Sequence, residues 1–333
     1  MRISVIVPVL NEADSIRALL DSLLGQTRPP DEIVITDGGS TDGTPDVVEE
    51  YARRGAPVRL LREPGALPGR GRNVAASQAA HEWLAFIDAG IRPAQDWLER
   101  LVERAESSDG AEVVYGAWQP VTDTLFTECA AIAYVPPPAE VDGCGMMRPR
   151  FIASSLMRRE VWRAAGGFPE HLRSAEDLLF MGAVEEAKFR TVYAPEALVH
   201  WQIQPTLWRT FRRFATYSRN NIRAGLWASW QRAVFRRYAV ILICALPAAV
   251  FGPRWLPAVL APWLLLLAAR AVAAIRRNRR AYPAGLARNA ARLIVLVPLV
   301  AALDAAALLG SVDWFLRDKL HLIGGAVSVG DST

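Results

Sequence analysis

Cysteine is scarce in this chain of 333 residues: Cys129, Cys144 and Cys244 are the only three, and none sits in a CxxC spacing. That excludes a disulfide framework and leaves reduced thiols as the simplest account. The first residues enter a strand pattern directly (Arg2-Ile3-Ser4-Val5-Ile6-Val7), with no cleavable leader ahead of it, so the N-terminal domain is expected to stay in the cytoplasm. The net charge of +4 would admit nucleic acid, anionic lipid or a phosphorylated ligand as partner. No DNA-reading motif accompanies the basic residues, which disfavours nucleic acid. No Gly-Lys-Ser/Thr follows the glycines at Gly69 and Gly71, so this is not a Walker-type phosphate loop.

What the chain does have is apolar residues, 52% of the total, unevenly spread. Residues 1–237 read as a soluble protein; from Tyr238 long apolar runs dominate, at 239–251, 255–275 and 293–309. The last two approach the roughly 20 residues that cross a bilayer. The first is short and carries Pro247. Arginines crowd beside these runs, at Arg209, Arg212, Arg213, Arg219, Arg223, Arg236 and Arg237, and again at Arg276, Arg277, Arg279 and Arg280. A cytoplasmic membrane face explains both clusters if the first two runs form a hairpin around Gly252-Pro253-Arg254. Asp304, within the third run, then requires a partner on a neighbouring helix or a function. Buried core helices of a soluble protein are the other reading. Residues 204–225, with Trp208, Arg212, Arg213, Phe214 and Tyr217, predict a basic amphipathic helix at the membrane surface.

Residues 1–107 alternate short apolar runs with helical periodicity, the pattern of a doubly wound α/β sheet. Strands are expected at 3–7, 32–36, 58–61 and 83–87, and helices at 12–25, 44–54, 72–80 and 95–107. In such sheets ligands sit beyond the carboxyl ends of the strands, which directs attention to the loops after Val7, Thr36 and Ile87. The first, opened by Pro8 as a further donor-site candidate, presents Asn11 and Glu12, polar groups able to bond a base or ribose. Asp37 follows a strand directly, where a carboxylate accepts a ring N–H and so selects uracil or another base with a donor there. A polar turn with capping residues fits this segment too. In Gly69-Arg70-Gly71-Arg72-Asn73 the glycines let backbone approach a ligand, and the arginines can pair with a diphosphate.

The stretches Pro8-Val9-Leu10-Asn11-Glu12, Asp37-Gly38-Gly39-Ser40-Thr41-Asp42-Gly43-Thr44, Gly69-Arg70-Gly71-Arg72-Asn73 and Asp88-Ala89-Gly90, in this order and spacing, closely resemble family 2 glycosyltransferases of the GT-A fold. The likeness covers roughly residues 1–200. It implies a Rossmann-like mixed sheet, a nucleotide-diphosphate sugar donor, and Glu12 and Asp37 as nucleotide contacts. Arg72 matches the family's Gly-Arg-Asn pattern and is the preferred diphosphate partner, Arg70 the weaker. The family's Asp-X-Asp carries a carboxylate for a divalent metal, Mg²⁺ or Mn²⁺, where this chain has Gly90. Asp88 remains as a ribose or metal contact and His200 is a further candidate ligand, although a lone histidine is more often structural. Glu176-Asp177, after Gly166-Gly167-Phe168-Pro169, resembles the family's acidic pair at the acceptor site, with Asp177 as general base and Glu176 in support. The same two acids also suit a helix N-terminus. The processive members' Gln-X-X-Arg-Trp is missing, which favours single additions.

The expected organisation is a GT-A domain over 1–205, a basic interfacial helix over 206–237, two to three transmembrane helices over 238–310 and a tail over 311–333. The expected enzyme is an inverting hexosyltransferase of the inner membrane and cell envelope. It would move sugar from a nucleotide donor, UDP-linked in the first reading, to a hydroxyl of a lipid or membrane-associated acceptor, yielding a glycolipid. A polyprenyl-phosphate acceptor and a non-catalytic nucleotide-sugar-binding protein are the alternatives.

Overall fold

The apolar run Ile3–Val9 forms the first strand, β1, and lies buried along almost its whole length, as a central parallel strand covered on both faces requires. Helix α1 (Ala13–Leu24) returns over the sheet with Ile16, Leu19, Leu20 and Leu23 turned inward, and Gly25 caps it by bonding back to Asp21. Strand β2 (Glu32–Asp37), α2 (Thr44–Arg53), β3 (Val58–Arg62), α3 (Pro68–Gln78) and β4 (Trp83–Phe86) complete the predicted alternation. One boundary moves. The Gly69–Asn73 segment, read as a loop with its helix opening at Arg72, lies in the first turns of α3, which starts at Pro68. Proline at the first helical position loses no hydrogen bond and presets φ.

The computed structural model describes residues 1–141, 143–252 and 256–321. They divide into two units. In the first (1–120 and 138–202) the further elements are β5 (Ile91–Pro93), α4 (Trp97–Ser107), β6 (Val113–Val121), β7 (Ala139–Glu140), β8 (Met146–Met147), β9 (Ser155–Arg158), α6 (Arg159–Ala164), α7 (Glu176–Glu186) and β10 (Thr191–Gln202). The eight-stranded sheet has the order β3-β2-β1-β4-β9-β6-β10-β5. Strands β3, β2, β1 and β4 are parallel, but β9 runs antiparallel to both β4 and β6. The sheet is therefore mixed, with a doubly wound half only. Because Phe86 and Tyr115 both pair with Ser155, the carboxyl ends of β4 and β6 share an edge with those of β1 and β2. Trp201 of β10 pairs with Ile91, whose amide bonds to Asp88 in the turn beyond β4. That single edge gathers every loop singled out by sequence. Phe86, Trp97, Tyr115 and Phe180 anchor the core beneath it, each contributing about 1.5–3 kcal/mol by burial.

The second unit comprises 121–137 and the described residues from Ile203 onward. Its helices are α5 (Leu125–Tyr134), α8 (Leu207–Arg223), α9 (Trp227–Trp230), α10 (Arg232–Phe251), α11 (Leu256–Arg277) and α12 (Leu286–Trp314), closed by a π-helical turn at Phe315–Lys319. Helix α5 was not anticipated; Thr124 opens it with a capping box to Thr127. It is anchored by Glu128, which pairs with Arg288 and Arg292 of α12. Helix α8 packs on α12, where Gly310 leaves room that a Cβ would take from Ala215 and Ser218. Asp304 is paired, with Arg237 at 3.0 Å and with Arg270 at 3.1 Å. Among the described residues one helix is long and apolar enough to cross a membrane, Leu286–Lys319, whose most apolar 18-residue stretch has mean hydropathy 2.4. Two to three crossings were expected. Helix α10 opens with Arg232, Arg236 and Arg237, and α11 carries Arg270. The expected turn at Pro253-Arg254, the start of the second run at Trp255 and the tail beyond 321 lie outside the described residues.

Candidate active site

The two loops nearest the centre of the edge are sewn together by their own polar groups. Asn11 adopts a left-handed conformation (φ 55°). Its Oδ1 accepts from the Thr41 amide at 2.9 Å, and its own amide donates to Ser40 Oγ at 2.8 Å. The Glu12 amide donates to Thr44 Oγ1 at 2.8 Å, and its carboxylate accepts from Ser15 Oγ. Asp37, 3% exposed, accepts from the amides of Gly39 and Ser40 within its own turn. A carboxylate has about four lone-pair sites, so capacity remains for a ligand donor.

Helix α3 is pressed into this edge, and its glycines are there for contact with protein. A Cβ on Gly69 would collide with the Pro169 carbonyl, and one on Gly71 would come within 3.0 Å of Pro8 Cβ. Arg70 turns outward to pair with Glu63 and Glu170. Arg72 turns inward, 4% exposed, and donates to Asp88 Oδ1 and Glu176 Oε1, each at 2.7 Å. Its guanidinium also lies 5.4 Å from the Phe168 ring centroid. Burial disfavours the cation, yet Asp88, Glu176 and Asp177 together hold its pKa above the ordinary value.

The acidic pair opens α7 after a strained residue. Ala175, with φ 72°, occupies the left-handed region that non-glycine residues enter at a cost, a device common at functional sites. Burial, then the charge of Glu176, raises the Asp177 carboxyl to about 6. Four buried polar atoms of this neighbourhood have no partner: Glu176 Oε2, Arg72 Nε, Ser174 Oγ and Thr36 Oγ1. Buried polar groups are normally satisfied, so orphans gathered around one ion-paired centre point to a ligand.

The residue that sequence reading left without a role is Asn73. Its Nδ2 donates to the Phe168 carbonyl at 2.8 Å and to Glu170 at 2.9 Å, while its Oδ1 accepts from the Phe168 amide at 2.8 Å and Trp162 Nε1 at 3.0 Å. One side chain thus clamps the Gly-Gly-Phe-Pro turn onto α3 and fixes the approach to Glu176. The available signal was its place next to Arg72. Asp88 is partly exposed and Gly90 faces open space. His200 lies on β10 opposite Arg92 of β5. Among the described residues no three His, Cys, Asp or Glu side chains are grouped to hold a metal ion.

Residues 4–132 match the family model described as glycosyl transferase family 2. The succinoglycan biosynthesis protein ExoA of Rhizobium meliloti is 31% identical over 227 residues, 62% of this chain and 66% of that protein. The glycosyltransferase AglE of Haloferax volcanii is 28% identical over 202 residues, 59% of this chain and 65% of that protein. The matched stretch therefore spans just under two thirds of these relatives' length. A mannosyltransferase of Pyrobaculum calidifontis, solved with GDP-Man and Mn²⁺, superposes with a TM-score of 0.56 over 96% of this chain and 88% of that one at 22% identity. At that identity the likeness speaks for the fold, which is GT-A. Fold, motif order and family match agree: residues 4–132 carry a glycosyl transferase family 2 domain.

Proposed function

We propose that the chain is an inverting glycosyltransferase that moves a sugar from a nucleotide-diphosphate donor to a hydroxyl of a lipid or membrane-associated acceptor. The observation that carries this reading is the buried cluster in which Arg72 bridges Asp88 and Glu176 beside Asp177, whose carboxyl sits at about 6. A base held near neutrality is ionised in part at working pH yet retains proton affinity, the compromise that general-base catalysis requires. In the proposed step the acceptor O–H loses its proton to Asp177 as its oxygen bonds the anomeric carbon. The bond to the diphosphate breaks on the opposite face and the nucleotide leaves. Glu176 keeps Arg72 in place and lines the acceptor approach. Asp37 accepts a ring N–H of the base, and Pro8, Asn11 and Glu12 shape the nucleotide pocket.

Asp88 is the residue that would hold a divalent metal, through the oxygen that Arg72 does not engage, with His200 the second candidate. Such an ion, when bound, neutralises charge on the leaving diphosphate. With Gly90 at the third position the protein side supplies one firm carboxylate, a number that Mg²⁺ tolerates alongside phosphates and water. The apolar helix Leu286–Lys319 supports attachment to a membrane, and the arginines of α8 and α10 suit its cytoplasmic face. Membranes carrying the chain, incubated with a panel of radiolabelled nucleotide sugars, should yield labelled lipid from one donor. Absence of lipid or glycan labelling from every donor would overturn the reading.

A further inference from the structure

Three arginines in the described chain are buried: Arg72, Arg148 and Arg292. Arg72 is paired with Asp88 and Glu176, and Arg292 with Glu128. Arg148, 9% exposed, makes no ion pair or hydrogen bond with any described residue, and its Nε is buried without a partner. What it has is an aromatic wall. Its guanidinium carbon stands 5.6 Å from the Trp118 ring centroid. Trp118 is in turn edge-on to Trp201 at 5.6 Å and tilted against Phe151 at 5.2 Å, with its Nε1 fixed to the Pro149 carbonyl at 2.9 Å. A cation over an indole is only partly compensated for lost hydration, and no described carboxylate pairs with this one. The free face of the guanidinium fork is suited to an anion.

The sheet register says where that anion sits. Trp118 lies just past Tyr115, on the edge shared by β4 and β6, and Trp201 pairs with Ile91, three residues beyond Asp88. The wall therefore belongs to the same carboxyl edge as Asp37 and Asp88, on the side of β6 and β10. We infer that Arg148 and Trp118 form a phosphate-binding subsite of this edge, a planar guanidinium fork being matched to phosphate oxygens. The phosphate belongs either to the donor's diphosphate or to a phosphorylated lipid acceptor, and the inference rests on the reading of this edge as the substrate edge.

The test is calorimetric titration of the full detergent-solubilised chain, in EDTA, with inorganic pyrophosphate, UDP and farnesyl phosphate. Arg148→Gln should weaken pyrophosphate binding on the order of tenfold to a hundredfold, the loss expected for a hydrogen bond to a charged group. Arg148→Lys, which keeps the charge without the fork, should fall between, and it carries the test if the glutamine variant does not fold. A parallel loss for UDP alone assigns the phosphate to the donor; a parallel loss for farnesyl phosphate alone assigns it to the acceptor. Wild-type affinity for all three ligands in the Arg148 variants would overturn the inference. Failure of the wild type to bind UDP would count against the functional reading instead, while the pyrophosphate arm still judges Arg148.

Discussion

Arg72 is the side chain on which the centre depends. Removing it leaves Glu176 and Asp88 facing one another without a counter-charge inside the protein. Arg72→Met should therefore destabilise the first unit by about 3–5 kcal/mol, the usual effect of breaking a buried pair from one side; thermal unfolding of the variant checks this. Gly90 makes the opposite case. A Cβ there meets nothing within 4 Å and its φ lies outside the left-handed region, so a side chain is tolerated. Gly90→Asp should fold as the wild type and tighten Mn²⁺ binding in the presence of UDP, measured by calorimetry. Unchanged Mn²⁺ affinity would mean that the edge does not present a metal at position 90. Asp177 has its own pH signature. Its folded carboxyl titrates near 6, above its ordinary 3.8, so the unfolded chain releases this proton first. Stability from this group accordingly falls as pH rises between those values.

At the scale of elements, the site is positioned by how α3, the Gly-Gly-Phe-Pro turn and α7 are fastened together. Asn73→Ala removes four hydrogen bonds from that junction. At about 1 kcal/mol each, and with partial rescue by water, a loss of about 2–3 kcal/mol is expected. Transfer should drop as well, because Glu176 and Asp177 follow the turn; denaturant unfolding together with donor turnover checks both. Much of this scale was legible in sequence. The alternation from β1 to β4 followed from short apolar runs set between stretches of 3.6-residue period, and Glu176 as a helix start followed from its acids. The start of α3 was not, because two glycines with low helix propensity stand in its first turn and only contact with Pro8 and Pro169 explains them. Helix α5 escaped notice because it is apolar on nearly every side and lacks the stripe that marks an amphipathic helix. The partners of Arg72 were equally hidden: Glu176 lies 104 residues away, a separation that no local pattern encodes.

At the scale of the molecule, the chain couples a family 2 glycosyltransferase unit with a helical unit rich in arginine at the borders of its apolar segments. Within that second unit the buried carboxylates are paired, Asp304 with Arg237 and Arg270 and Glu128 with Arg288 and Arg292, as burial of a charge requires. The expressed chain should be recovered in the membrane fraction and resist extraction by alkaline carbonate; recovery in the soluble fraction would remove the lipid from the account. The most direct test concerns Asp177. Transfer by the full chain should be followed from pH 5 to 8 for the wild type and Asp177→Asn at equal donor occupancy. Wild-type turnover should rise with pH through about 6, and Asp177→Asn should lose that rise and fall about 10²–10⁴-fold below the wild type above pH 6, less so at pH 5, while still binding donor. Full activity in Asp177→Asn, with the same pH profile, would contradict the account and point to an acceptor that arrives already ionised.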